Sequence, residues 1–124
     1  IRMDVVPHGK EAKTAFVKLV RSSRDTELIA AKLFTGRTHQ IRAHLATLGR
    51  HILGDHLYGF KSKRDKISRV KLHAYLLYLT HPATGEKMEF TAPLFEDMQA
   101  YLAKYFDRDE VTEKIDPDLL GDRF

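Results

Sequence analysis

The sequence predicts an α+β fold, a mainly antiparallel mixed sheet with helices packed on it. Three observations predict it. Strand-like segments with period-2 alternation come in pairs joined by hairpin-length links. The apolar period then switches to 3.6 after Thr35–Gly36. A further stretch, Pro93–Phe106, carries a single apolar helical stripe. No repeat and no low-complexity segment interrupts this order.

Each element has its own local reason. Met3–Val6 is a short strand stopped by Pro7, and "PHGKE" is a turn. In Thr14–Ser22, Phe16, Lys18 and Val20 point one way and Ala15, Val17, Leu19 and Arg21 the other, which predicts a strand with a buried face. "SSRDT" turns the chain into a second strand, Glu27–Phe34, and so short a link makes the pair an antiparallel hairpin. Thr35–Gly36 breaks the strand. A helix of about three turns follows, with Thr38 as N-cap, Ile41, Leu45 and Leu48 on one face, and Gly49 just past the end. "HILGDHLYG" is a compact loop and "FKSKRDKISR" a polar, basic one.

Val70–Pro82 is apolar and leads, through a helical turn or an extended start, into a strand near Leu77–His81. "ATGE" turns it into the strand "KMEFTAP", with Met88, Phe90 and Ala92 on one side. The last helix begins with Pro93 at its first position and lines up Leu94, Met98, Tyr101, Leu102 and Tyr105. Residues 107–124 hold seven acids and three bases and read as an acidic tail that docks weakly, so the chain divides into 1–106 and 107–124.

The 124 residues are 43% hydrophobic and 31% charged, a composition that folds and that opposes wholesale disorder. No apolar run approaches the roughly 20 residues that span a bilayer, so no membrane partner is expected. Cys is absent, which excludes disulfides, thiolate catalysis and Cys-ligated zinc, and is compatible with a cytoplasmic protein. The chain begins with Ile, which suggests a start inside a longer gene product. The net charge of +4 is unevenly placed: Thr35–Arg64 holds six Lys/Arg and four His against one acid, Asp55. Such a field steers polyanions.

Three chemistries could explain that stretch. A metal site is the first, but His39 and His44 are five apart, so on a helix they diverge instead of sharing a face. No metal and no cofactor is expected. Hydrolysis is the second, but neither G-x-S-x-G nor a phosphate-binding G-x-x-x-x-G-K-[ST] occurs. Nucleic acid is the third. Arg37 lies at a strand-to-helix corner, Arg42 follows, and Arg50, Lys61, Lys63 and Arg64 extend the positive strip. A solvated helix face beside a basic loop would carry the same charge, and charge alone does not choose between the two.

The wording of the stretch does choose. "LFTGRTHQIRAHLATLGRHILGDHLYG" resembles the central signature of RluA-type pseudouridine synthases, L-x-T-G-R-T-H-Q-I-R-x-H-x-x-x-x-G-x-P-I-x-G-D-x-x-Y-G, with His51 standing where the family has Pro. "KLHAYLLYLTHPATGEKMEFTAP" resembles the family's next segment, and "GKEAKTAFVKLV" the strand before. The likeness covers about residues 3–100 in three ordered motifs. It implies cofactor-free isomerisation of uridine in large-subunit rRNA or tRNA, with the target nucleotide turned out of its stack.

By the same resemblance, Arg37 pairs with the catalytic aspartate. His39, Gln40 and Arg42 support the cleft or touch RNA, and Leu72 is an apolar wall beside the base. Arg50, Lys61, Lys63 and Arg64 hold RNA backbone. His73 and His81 are packed histidines satisfied by backbone groups. The family's H-R-L-D-x-x-T-S-G and its K-x-Y strand precede these motifs and are not in this sequence, while Asp55 reads as a turn or cap residue. The chain is therefore expected to be the C-terminal half of a catalytic domain, inactive alone, its sheet edge open to self-association. The alternative is an RNA-binding module without catalysis.

Overall fold

The computed structural model describes residues 2–5, 12–58 and 69–124. Strand β1 (Arg2–Val5) pairs antiparallel with β2 (Ala12–Arg21), and β2 with β3 (Glu27–Leu33), in the order β1-β2-β3. A second sheet is the hairpin of β4 (Leu76–Thr80) and β5 (Lys87–Thr91). Helices α1 (Gln40–Thr47), α2 (Glu96–Tyr105), α3 (Arg108–Lys114) and α4 (Pro117–Leu120) complete the chain, with a 3-10 turn at Gly121–Arg123. The result is α+β, and every described strand pairing is antiparallel.

A bulge in β2 decides what covers the first sheet. Lys18 pairs with Ile29, but Val20 pairs with Leu28. Leu28 and Ile29 are adjacent on β3 and so face opposite sides. Ala12, Thr14 and Phe16 are therefore buried on one face, and Val20 on the other. Thr14 lies on the α1 side, where the Gln40 amide bonds its hydroxyl. Val20 joins Leu28, Leu102 and Val111 in the core, with Leu94, Met98, Phe106 and Ile115 packed around them. One strand thus serves two helical layers.

Three local expectations change. α1 starts at Gln40, not after Thr38, because His39 sits at φ 51°, ψ 29°, a left-handed geometry that no right-handed helix can continue through. Its buried residues are Gln40, His44 and Leu45, while Leu48 is exposed, so the face toward the sheet is partly polar. α2 begins at Glu96, with Phe95 at the position before it, which puts Pro93 before the helix and not at its first position. Residues 107–124 are not a loose tail. Asp107 and Asp116 accept from the backbone N–H groups of Glu110 and Asp118 as N-caps of α3 and α4, and Val111 and Leu120 are buried. Tyr75 ties this unit to the strand layer by donating to Ile115 O at 2.8 Å.

The end of α1 is as expected. Gly49 at φ 71° lets its own N–H reach Ala46 O at 3.0 Å and Arg50 N–H reach Leu45 O at 2.9 Å. In the hairpin, Leu77 pairs with Phe90 and Leu79 with Met88, so these four share a face. Leu77, Leu79 and Phe90 are exposed there, leaving an apolar surface uncovered.

Candidate functional site

The corner between β3 and α1 is built by one side chain. Gln40 is 5% exposed. Its Nε2 donates to Lys13 O and to Thr14 Oγ1, both at 2.8 Å, reaching back to β2. Its Oε1 accepts from Thr35 Oγ1 at 2.7 Å and from Arg37 N–H at 3.0 Å, gripping the corner. Thr35 Oγ1 in turn accepts from Lys13 N–H at 2.8 Å. Two donors and two lone pairs are the whole capacity of a side-chain amide. Of the two roles expected for Gln40, supporting the cleft or touching RNA, this geometry is that of a support. Arg37 projects from the gripped corner and is exposed.

The second construction binds the loop after α1 to the helix. Arg42 Nε donates to Asp55 Oδ2 and Nη2 to Asp55 Oδ1, both at 2.8 Å, a two-bond fork. Asp55 is completely buried. Arg42's hydrogen bonds, followed by N–H groups of the turn at Leu57 and Tyr58, hold its carboxyl below the usual carboxylate range although burial opposes this. The turn role expected of Asp55 is present, with Tyr58 N–H at 3.3 Å. Its pairing with Arg42 was not foreseen. Arg42, expected to face RNA or support the cleft, turns its fork inward, and its guanidinium lies 5.1 Å from the Tyr58 ring centre. Tyr58 Oη lies 3.2 Å from His39 Nδ1, the rings edge to face.

The remaining residues fall around this core. Lys71 N–H donates to Leu53 O at 2.8 Å, which lays the segment carrying exposed Leu72 beside the Asp55 turn. Arg50 is exposed just past α1. Lys61, Lys63 and Arg64 lie outside the described residues. His73 Nε2 is 2.9 Å from Ala92 O, and His81 Nδ1 accepts from Ala83 and Thr84 N–H, so the backbone holds one nitrogen of each, while the buried His73 Nδ1 is left without a partner and is not satisfied as expected. Among the described residues no three His, Asp or Glu groups converge as a metal cage. The site can therefore present Arg37 from a corner held by Gln40. What sequence reasoning missed was the Arg42–Asp55 pairing and Tyr58, and the D-x-x-Y spacing within "GDHLYG" was the available signal.

Comparison with known proteins fits this arrangement. No protein-family model matches the chain. It is 48% identical over 113 residues, 90% of its length, to an uncharacterized RNA pseudouridine synthase of Helicobacter pylori. The chain belongs to the RNA pseudouridine synthase family. It is also 41% identical over 108 residues to ribosomal large subunit pseudouridine synthase D of Nitrosomonas europaea. Over 85 residues it is 41% identical to the dual-specificity RNA pseudouridine synthase RluA of Escherichia coli. The chain spans about a third of the length of these relatives, 35%, 31% and 39% respectively.

Proposed function

We propose that the whole protein carrying this chain isomerises uridine in RNA to pseudouridine, and that Arg37 is this segment's contribution to the chemistry. The observation that carries the reading is the corner itself. Gln40 binds Thr35 and the Arg37 backbone to β2, so a long cationic side chain leaves from a fixed origin inside the family's T-G-R-T-H-Q-I-R wording. A guanidinium so placed can hold a carboxylate ionised and aimed. In this reading the carboxylate comes from sequence outside this chain. It acts on the nucleoside: the N1–C1′ glycosidic bond breaks, uracil turns and bonds to C1′ through C5, a base removes the C5 proton, N1 takes up a proton, and the carboxylate leaves unchanged.

The substrate is structured RNA, large-subunit rRNA or tRNA, encountered in the cytoplasm. Leu72 walls the base, His39 lines the corner, and Arg50 with Lys61, Lys63 and Arg64 follows the phosphates. The exposed Leu77–Leu79–Phe90 face makes self-association of the isolated segment the expected behaviour.

Tritium release from RNA labelled at uridine C5 tests the reading. The whole protein should release tritium from rRNA or tRNA. Arg37→Ala should cut turnover by at least about a hundredfold while RNA affinity falls far less. Release from neither RNA, with salt-sensitive binding retained, would leave an RNA-binding module in place of an enzyme.

A further inference from the structure

We infer that Tyr58 is a positioning residue for Arg37. The Arg42–Asp55 fork anchors its backbone N–H and ring, and its hydroxyl holds His39 in the left-handed backbone region and so fixes the corner from which Arg37 projects. The inference deepens the isomerase reading and rests on it. His39 is the one described residue other than glycine with positive φ, at 51°. A histidine adopts that geometry against its own steric preference, so its surroundings must hold it there.

The inner side of the corner is held by Gln40, which grips Thr35 and the Arg37 N–H. The outer side is held by Tyr58 Oη, 3.2 Å from His39 Nδ1. Tyr58 is fixed in turn by its own N–H on Asp55 Oδ1 at 3.3 Å and by the Arg42 guanidinium 5.1 Å from its ring centre. Either tautomer of His39 keeps the link, since a bare Nδ1 accepts from the hydroxyl and a protonated Nδ1 donates to the phenolic oxygen. If His39 relaxes to negative φ, the chain before it is redirected. Arg37, two residues upstream, is then offered in another direction although Gln40 still holds its N–H.

Tyr58→Phe is the discriminating variant. It keeps the ring, the cation contact and the backbone bond, and removes only the hydroxyl. In the whole protein its single-turnover rate should fall about tenfold, as small misplacements of a positioned group do, with RNA affinity unchanged. Amide exchange of residues 36–39, followed without RNA, should quicken.

A wild-type rate with unchanged exchange in Tyr58→Phe overturns the inference. So does an equal loss of rate and RNA affinity, which would make Tyr58 an RNA contact. If the wild-type protein makes no pseudouridine, the isomerase reading falls, and the exchange measurement alone then decides whether Tyr58 holds the corner.

Discussion

The Arg42–Asp55 fork and the Arg69–Asp97 fork pair the same atoms in different surroundings. In the first, Nε and Nη2 each lie 2.8 Å from a carboxylate oxygen, and the side chains are 19% and 1% exposed. In the second, Arg69 Nε is 2.7 Å from Asp97 Oδ2, Lys71 Nζ adds a contact at 3.1 Å, and the Arg69 and Asp97 side chains are 41% and 40% exposed. The exposed fork has the larger number of charged partners. The buried one has the larger structural consequence, because a charge without its partner is costly only where water cannot reach it. The difference teaches that partner counts do not rank ion pairs, whereas burial does.

The largest effect should come from breaking the buried fork. Asp55→Asn keeps the shape but removes the charge that two Arg42 bonds point at. It should cost about 3 kcal/mol in urea unfolding, at the low end for a buried pair since Arg42 keeps some water contact. A loss no larger than that of Asp97→Asn would break the comparison.

Acid should sharpen it next. Both carboxyls sit below their ordinary range, Asp55 through its Arg42 bonds and Asp97 through its Arg69 bonds. A depressed folded-state pKa means stability that is fully present above the unfolded value of about 3.9 and is lost as pH falls through the folded value. Acid unfolding monitored by circular dichroism should therefore show a flatter low-pH limb in Asp55→Asn than in the wild type.

The smallest effect should be that of Asp97→Asn, a midpoint shift well under that of Asp55→Asn. About 1 M NaCl should erase its difference from the wild type while leaving the Asp55→Asn defect intact, because salt screens exposed charges most.

Much of the fold is legible locally. The hairpins follow from alternation and short links, and Gly49 ends α1 because a left-handed residue is needed there. Legibility failed where polar residues do the packing. Period counting chose Ile41, Leu45 and Leu48 for the buried face of α1, but Gln40 and His44 are buried and Leu48 is not. Composition read residues 107–124 as an acidic tail that docks weakly or not at all, whereas Asp107 and Asp116 are caps of helices that bury Val111 and Leu120. A cap and a solvated acid look alike in composition. The three-residue reach from Asp107 to the Glu110 N–H is what separates them.

Sequence alone determined the order of elements, the corner at Thr35–Gly36, the basic middle and the family to which the chain belongs. These depend on residue type and on spacing along the chain, which a sequence displays. Tertiary structure decided what Gln40, Arg42, Asp55 and Tyr58 do. Gln40 reaches 27 residues back to Lys13, Asp55 reaches 13 back to Arg42, and Tyr58 reaches 19 back to His39. A polar side chain's partner is chosen by whichever donor or acceptor folding brings within about 3 Å, and no local period encodes that.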